Sequence, residues 1–298
     1  MAATSGPGGP PLPLGERVAL PGRGTTFVRE VEGPRGAPTV VLLHGWIASG
    51  GLNWFTAFDP LGERYHVLAP DLRGHGRGLR ARGRFRLADC ADDVAALLRQ
   101  RSTGPVIAVG YSMGGPVAQL LWHRHPDLVA GLVLCATSDR FVVGDREKIV
   151  FATLMAAAAG TTRTGRLLGR LPFVPSWTRS LAMGSGMRPT QLRTWAAGEL
   201  RRHDPVSLME AGQAIGSYSA RRWLRFIDVP TAVLVTEQDR AVRPDEQLRM
   251  AESITGATVH RIDDGHVACV RPAFGQALRI AVDDVADRAY GTALAAVR

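Results

Sequence analysis

Residues 110–114 read Gly-Tyr-Ser-Met-Gly, so a serine stands two positions from a glycine on either side. An apolar run at 105–109 precedes them, and a stretch with helical spacing, from about 113 to 125, follows them. A serine at such a sharp strand-to-helix turn takes a strained backbone conformation, and the flanking glycines allow the turn. Its hydroxyl then stands clear of the sheet, beside helix N–H groups that favour a developing oxyanion. We therefore predict that Ser112 is a catalytic nucleophile.

A nucleophilic serine needs a general base, and the base needs a carboxylate that orients it. His266 follows a predicted strand at 258–262, and Asp239 follows an apolar one at 231–235. Each residue therefore lies on a loop at the carboxyl end of a predicted parallel strand, as Ser112 does, so the three side chains can converge. We predict that His266 accepts the serine proton and that Asp239 fixes the imidazole tautomer.

Two other carboxylates compete with Asp239 for the role of the acid. Asp139 follows a predicted strand at 131–135, and Glu237 is two residues from Asp239. We favour Asp239 because the apolar Val242 that follows it can anchor its turn. Asp139 remains the main alternative.

Acyl transfer at a serine also needs two backbone donors that stabilise the oxyanion. The N–H of Met113, directly after the serine, is predicted to be the first donor. Residues 44–46, His-Gly-Trp, follow an apolar strand at 39–43, and we assign the second donor to the N–H of Trp46. His44 is expected to brace this loop through hydrogen bonds.

The elements that position these residues alternate between strands and helices. Apolar runs separated by helical spacing are typical of a parallel sheet that helices cover on both faces. The predicted strands are 17–20, 25–31, 39–43, 65–69, 105–109, 131–135, 231–235 and 258–262, and the predicted helices include 87–101 and, approximately, 113–125, 245–254 and 274–288. The sequence therefore predicts an α/β fold with a doubly wound, mostly parallel sheet.

The alternation of strands and helices breaks between about residues 140 and 224. We predict a core domain of 16–139 and 225–298, into which 140–224 is inserted as a helical cap. A separate domain is the alternative, but a cap over the carboxyl edge of the sheet is simpler, because ligands bind at that edge. The first 15 residues, rich in glycine and proline, are predicted to be a disordered tail.

Apolar side chains in the predicted cap favour a substrate with an apolar portion, although they can equally form the cap's own core. They are Leu154, Met155, Leu167, Leu168, Phe173, Trp177, Met183 and Trp195.

Three cysteines, Cys90, Cys135 and Cys269, are widely spaced and set among apolar residues. This pattern predicts reduced, buried thiols in a cytoplasmic protein and disfavours a cysteine-rich metal site. The N-terminal residues lack the basic start and apolar core of a signal peptide. Because no uninterrupted apolar run of about 18 residues occurs, no membrane span is predicted.

A net charge of +9 raises the question of an anionic partner. Lys148 is the only lysine, so arginine supplies 35 of the 36 basic residues, and the arginines are spread along the chain. The densest group, at 73–86, lacks the aromatic platform on which nucleic-acid bases stack. We predict a solvated surface and no nucleic-acid partner.

Together, these motifs resemble the α/β-hydrolase superfamily, in the branch with a serine nucleophile, an H-G-x oxyanion loop and a helical cap. The resemblance covers about 25–290 and rests on residues 44–46, on Pro-Asp-Leu-Arg-Gly-His-Gly at 70–76, on 110–115, on Asp239 and on 265–266. It implies the chain order serine, acid, histidine, and Asp239 occupies the usual position of the acid. Where the family often has a serine after Gly-His-Gly, this chain has Arg77, in a segment that either attracts an acidic substrate or is a solvated loop.

The resemblance implies a serine hydrolase that needs no metal or cofactor and acts on a carboxylic ester, thioester or lactone through an acyl-Ser112 intermediate. One alternative keeps the same three residues but forms peracids or cleaves a C–C bond. Another alternative is a ligand receptor without catalysis on the same fold. Epoxide hydrolases and haloalkane dehalogenases usually have an aspartate nucleophile, so Ser112 counts against both.

Overall fold

Eight β-strands form one sheet in the computed structural model, which describes residues 9–80, 83–141 and 189–291. The strands are β1 Gly15–Leu20, β2 Gly24–Val31, β3 Thr39–Leu43, β4 His66–Pro70, β5 Val106–Tyr111, β6 Val129–Cys135, β7 Thr231–Thr236 and β8 Thr258–Ile262. Each strand that the sequence predicts is present, and its ends lie within two residues of the predicted ones.

The strand order is β1-β2-β4-β3-β5-β6-β7-β8. Strand β2 pairs antiparallel with β1 and β4, whereas the later pairs in this order are parallel. Strands β3 and β5 are neighbours, and all their residues are buried, as expected for strands covered on both faces. The predicted, mostly parallel sheet is therefore confirmed.

Helices lie on both faces of this sheet. The α-helices of the described residues are α1 Gly50–Trp54, α2 Phe58–Gly62, α3 Leu87–Arg101, α4 Gly114–Arg124, α5 Pro189–Leu200, α6 Pro205–Ser217, α7 Pro244–Glu252 and α8 Pro272–Tyr290. In β3, Val41 belongs to a buried cluster that contains Leu97 of α3 and Leu121 of α4. Its neighbour Val40 belongs to a second cluster, which contains Phe274 of α8. Because successive side chains of a strand point to opposite faces, this division confirms the doubly wound arrangement.

Helices α1 and α2 were not predicted from the sequence. Helix α1 begins with Gly50 and Gly51, which are poor helix formers. Its N-cap, Ser49, accepts a hydrogen bond from the N–H of Leu52 at 3.3 Å. The Ser49 N-cap therefore stabilises a short helix that the helix propensities of its residues do not predict.

The described part of the predicted cap consists mainly of α5 and α6, and Trp195 of α5 is 9% exposed. The other apolar residues assigned to the cap lie in 142–188, outside the described residues. The division into a core and a cap therefore stays a prediction.

Part of the predicted disordered tail packs against the protein. Leu12 is buried, and Arg29 Nη1 donates a hydrogen bond to the Pro13 carbonyl at 2.6 Å. The prediction of disorder is wrong for this part, because the segment supplies a hydrogen-bond acceptor to the buried Arg29. Residues 1–8 lie outside the described residues.

All three cysteines are buried and free, as predicted. Within the described ranges, no helix has the length and apolar character needed to cross a membrane.

Candidate active site

Ser112 lies between the end of β5 and the start of α4, and its φ is 51°. This left-handed conformation is unfavourable for a serine and is supported by its surroundings. The N–H of Ser112 donates to the Cys135 carbonyl at 3.0 Å, and its carbonyl accepts from Thr137 Oγ1 at 2.8 Å. A Cβ on Gly114 would collide with the Leu43 carbonyl. This glycine is therefore needed for close packing against β3.

Two contacts at hydrogen-bond distance connect Ser112 to His266 and His266 to Asp239. Ser112 Oγ is 3.0 Å from His266 Nε2, and His266 Nδ1 is 2.8 Å from Asp239 Oδ2. Because the buried carboxylate can only accept, Nδ1 carries the imidazole proton and Nε2 is left to accept the serine hydrogen. The structure thus brings the three predicted residues together in the order a proton transfer requires.

The Asp239 carboxylate is completely buried, whereas the His266 side chain is 29% exposed. Asp239 Oδ1 accepts hydrogen bonds from the N–H groups of Ala241 at 2.8 Å and Val242 at 2.9 Å. Asp239 Oδ2 also accepts from Thr236 Oγ1 at 2.9 Å. These bonds fix both oxygens, so the carboxylate presents Oδ2 to the imidazole.

The two competing carboxylates have other partners. Asp139 Oδ1 accepts from Ser138 Oγ at 3.2 Å, and its other oxygen lies 3.9 Å from Arg221 Nε. Glu237 forms an ion pair with Arg261 at 3.1 Å. Of the three candidate acids, Asp239 is the one that contacts His266.

The loop at 44–46 lies against Ser112, because a Cβ on Gly45 would be 3.4 Å from the Ser112 Cβ. The N–H of Gly45 is taken up by Asn53 Oδ1 at 2.9 Å. No hydrogen bond within the described residues uses the N–H of Trp46 or of Met113. Neither predicted oxyanion donor therefore has a hydrogen-bond partner within the described residues, and the Met113 side chain itself is in the core.

His44 is completely buried and braces this loop, as its predicted structural role requires. Its Nε2 accepts from the N–H of Leu72 at 2.9 Å, so Nδ1 donates to the Gly45 carbonyl at 2.8 Å. Burial lowers the pKa of His44 to about 3, which keeps the ring neutral.

The alpha/beta hydrolase fold model matches residues 38–271 of the chain. The chain belongs to the α/β-hydrolase family. It is 34% identical over 227 residues to the pimeloyl-[acyl-carrier protein] methyl ester esterase of Chromobacterium violaceum, covering 75% of this chain and 84% of that one. It is 31% identical over 249 residues to the magnesium-chelatase 30 kDa subunit of Rhodobacter capsulatus, covering 79% and 82%. An esterase structure from Exiguobacterium antarcticum superposes with a TM-score of 0.73 at 21% identity, over 91% of this chain and 100% of that one.

This α/β-hydrolase is therefore an enzyme by family, and its fold is that of solved esterase structures. The names of the two sequence relatives refer to different activities, so they do not agree on a substrate.

Tyr111, directly before the serine, has a role in this hydrolase that the sequence did not reveal. Its hydroxyl donates to the His266 carbonyl at 2.8 Å. The ring is buried edge-on between Trp54 and Phe274, at centroid distances of 6.0 and 5.6 Å. Burial raises the pKa of Tyr111 well above its usual value, so the hydroxyl keeps its proton and donates. The tyrosine thus ties the strand before Ser112 to the loop that carries His266.

Replacing Tyr111 by phenylalanine is expected to lower kcat about fivefold, because the His266 loop loses a hydrogen bond worth roughly 1 kcal/mol. The measurement is kcat with a chromogenic ester, together with the melting temperature. Tyr290→Phe is the matched control, since its hydroxyl donates to the Pro105 carbonyl at 2.9 Å, away from the proposed site. Equal kcat values for the two variants would contradict this role.

The arginines on both sides of the Gly-His-Gly turn at 74–76 bind other parts of the protein. Arg73 forms two hydrogen bonds with the Asp93 carboxylate, at 2.7 and 2.8 Å. Arg77 forms two with Glu199 of α5, at 2.8 and 3.1 Å. Arg84 donates to Gln213 of α6 at 2.7 Å. An acidic substrate would have to compete with these partners, so the contacts disfavour binding of such a substrate by this segment, and the segment is also less solvated than the alternative prediction of a solvated loop.

Three buried histidines make the hydrolase sensitive to acid. Burial lowers the pKa values of His44, His75 and His203 from 6.5 to about 3. Because the pKa of each histidine is lower in the folded protein than in the unfolded chain, the unfolded chain binds protons first as the pH falls. The stability that the neutral rings contribute is therefore fully present above pH 6.5 and is lost as the pH falls towards 3. The loss is roughly 1.4 kcal/mol per histidine per pH unit. Asp71, whose pKa burial raises to about 6, offsets part of this loss below that pH.

We expect the urea midpoint to fall clearly between pH 7.5 and pH 5.5, and to fall less in His203→Gln. A midpoint that is the same at both pH values in the wild type would contradict the buried, neutral state of these rings.

Proposed function

We propose that this α/β-hydrolase is a serine hydrolase that cleaves a carboxylic ester, thioester or lactone through an acyl-Ser112 intermediate. The observation that carries the proposal is the unbroken path from Ser112 Oγ through His266 to the Asp239 carboxylate, with contacts of 3.0 and 2.8 Å. Such a path lets a neutral imidazole remove the serine proton as the new bond forms.

In the first half-reaction, Ser112 Oγ attacks the carbonyl carbon while its proton passes to His266 Nε2. The tetrahedral oxyanion accepts hydrogen bonds from the N–H groups of Trp46 and Met113. The imidazolium, stabilised by Asp239, then gives its proton to the leaving alkoxide or thiolate, and the C–O or C–S bond breaks.

In the second half-reaction, water takes the place of the leaving group. His266 removes a proton from the water, whose oxygen attacks the acyl carbon. The oxyanion forms again in the same site and collapses, and Ser112 regains its proton from the imidazolium. The products are a carboxylic acid and the free enzyme.

An ester substrate is the form of the proposal that the relatives support. One relative in sequence is named for a methyl ester of an acyl-carrier protein, and a solved structure with this fold is an esterase. The free, buried cysteines support a cytoplasmic location for the enzyme.

The proposal is tested by a turnover screen. It contains 4-nitrophenyl esters of increasing acyl length, acyl thioesters, lactones, and an arm with hydrogen peroxide and acetate that reports peracid. We expect ester turnover that is abolished when the enzyme is first treated with a fluorophosphonate. Peracid formation without ester turnover would favour the perhydrolase alternative, and ligand binding without any turnover would favour a receptor.

A further inference from the structure

The end of β6 and the two residues that follow it hold both backbone polar groups of Ser112. The Ser112 N–H donates to the Cys135 carbonyl at 3.0 Å, and the Ser112 carbonyl accepts from Thr137 Oγ1 at 2.8 Å. Ala136, between these two partners, has a φ of 47°, a left-handed conformation that residues with a Cβ rarely adopt. Because the chain turns at Ala136, the Cys135 carbonyl and the Thr137 side chain both reach the same serine.

The Thr137 side chain is closely surrounded. It is completely buried, with 0% exposure. A Cβ on Gly115, in the first turn of α4, would lie 2.1 Å from Thr137 Oγ1, so the hydroxyl occupies the space that a side chain there would need. The Gly115 N–H is the other donor to the Ser112 carbonyl, at 2.9 Å. Two hydrogen bonds from different elements therefore hold this carbonyl.

The Ser112 carbonyl and the Met113 N–H belong to the same peptide group. A trans peptide is planar, with its carbonyl and its N–H on opposite sides, and the described residues contain no cis peptide. A side chain that fixes the carbonyl therefore also fixes the direction of the N–H. Since Thr137 binds this peptide at its carbonyl, the Met113 N–H, a proposed oxyanion donor, points away from Thr137.

The second proposed donor lies on the other side of β5 from Thr137. Strand β5 lies between β6, which Thr137 follows, and β3, which the loop at 44–46 follows. This loop lies against Ser112, since a Cβ on Gly45 would be 3.4 Å from the Ser112 Cβ. An N–H that points away from Thr137 is therefore directed towards the side from which the loop of Trp46 approaches.

The peptide group that carries the Trp46 N–H is held in the same way. Its carbonyl, that of Gly45, accepts from Nδ1 of the buried His44 at 2.8 Å. Each proposed oxyanion donor thus belongs to a peptide whose carbonyl accepts a 2.8 Å hydrogen bond from a buried side chain. Such a bond also polarises the peptide, which strengthens its N–H as a donor.

We propose that Thr137 is a positioning residue of the oxyanion hole: its hydroxyl fixes the Ser112–Met113 peptide and thereby aims the Met113 N–H at the oxyanion. This inference rests on the proposed serine-hydrolase function. Loss of one oxyanion donor lowers kcat by about 100- to 1000-fold, and a donor that is only loosened costs less. Thr137→Val replaces the hydroxyl by a methyl group and leaves the bond from Gly115. We therefore expect it to lower kcat by about 10- to 30-fold, with KM changed less than about threefold.

Two smaller variants separate the hydroxyl from the packing of the side chain. Thr137→Ser keeps the hydroxyl and loses only the methyl group, whereas Thr137→Ala lacks both. We expect Thr137→Ser to keep kcat within about threefold of the wild type and Thr137→Ala to lose as much as the valine variant. Because serine and alanine differ only by the hydroxyl, this comparison holds even if Thr137→Val does not fold. Equal kcat values in the two variants would overturn the inference.

Thr231→Val is the matched control. Thr231 is 1% exposed, and its hydroxyl donates to the Val229 carbonyl at 3.0 Å. It lies at the start of β7, whereas Ser112 follows the end of β5 in the same parallel sheet. We expect a fall in melting temperature similar to that of Thr137→Val but wild-type kcat, because a comparable hydrogen bond is lost away from the site. A fall in kcat equal to that of Thr137→Val would overturn the inference, since any lost buried hydrogen bond would then suffice.

The rate of fluorophosphonate labelling separates the inference from the function on which it rests, because phosphonylation also develops charge in the oxyanion hole. We expect the wild type and Thr137→Ser to label rapidly and Thr137→Val to label about 10- to 30-fold more slowly. Equal rates in the wild type and Thr137→Val overturn the positioning role alone. A wild type that is not labelled overturns the serine-hydrolase proposal and this inference with it. A rise in KM at constant kcat overturns the inference by assigning Thr137 to substrate binding.

Discussion

Ser112→Ala is expected to lower kcat for ester hydrolysis by about a million-fold, to the level of the binding site without a nucleophile. The hydroxyl oxygen is the only protein atom that forms a covalent bond to the substrate in the proposed mechanism. Removing Oγ also leaves His266 Nε2 without its 3.0 Å partner. The measurement is kcat with the best ester from the turnover screen.

Ser102→Ala is the matched control for this prediction. Ser102 has the same left-handed backbone, with φ of 51°, but it is an exposed residue at the end of α3. Both substitutions therefore place an alanine in an equally unfavourable conformation. We expect Ser102→Ala to keep wild-type kcat while Ser112→Ala loses its activity. This result would show that the loss comes from the missing hydroxyl and not from backbone strain. A Ser112→Ala enzyme that retains more than about a hundredth of wild-type kcat would contradict the assignment.

Asp239→Asn is expected to lower kcat by about 10,000-fold, with little change in KM. The asparagine oxygen is held by the N–H groups of Ala241 and Val242, which in the wild type donate to Oδ1. The amide NH₂ then takes the place of Oδ2 and donates to His266 Nδ1. The imidazole proton must move to Nε2, so the ring can no longer accept the serine hydrogen. The loss is measured in the pH range where the wild type is most active.

Asp139→Asn tests the alternative acid with the same substitution, aspartate to asparagine. Burial raises the pKa of Asp139, so a neutral amide is a mild change at this position. We expect this variant to keep kcat within about twofold of the wild type, because Asp139 pairs with Ser138 and not with His266. A large loss in Asp139→Asn, with activity retained in Asp239→Asn, would move the acid to the strand end after β6.

The strand ends could be located from the sequence because apolar runs in a parallel sheet are long and uniform. Ser112 and Asp239 each follow such a run, His266 follows the predicted strand at 258–262, and parallel strands bring their carboxyl ends to one edge. Their convergence therefore follows from topology without knowledge of any contact. The sequence favoured Asp239 over Asp139 although both residues follow strands, and the structure adds the contacts of each, since Asp239 contacts His266 and Asp139 contacts Ser138.

The remaining parts of the site depend on contacts between residues far apart in the chain. Tyr111 is visible in the sequence only as the variable residue of a motif, and its bond to the His266 carbonyl spans 155 positions. Thr137 belongs to none of the motifs in the sequence, and its contact with the Ser112 carbonyl spans 25 positions. Periodicity reports which face of an element is buried but gives no information on such partners.

The tail and the arginine-rich segment show a similar limit. Composition predicted a solvated or disordered state for each, because glycine, proline and arginine are common in such segments. In the structure, Leu12 is buried, and Arg77 pairs with the buried Glu199. A specific partner elsewhere in the fold outweighs the average behaviour of a residue type.

The most direct test of the central claim is to map the site of covalent modification. Wild-type enzyme is treated with a fluorophosphonate, digested, and analysed by mass spectrometry, with Ser112→Ala and Ser102→Ala treated in parallel. We expect one phosphonyl adduct, on Ser112, in the wild type and in Ser102→Ala, and no adduct in Ser112→Ala. An adduct on another residue, or an unmodified wild type, would contradict the assignment of Ser112 as the nucleophile.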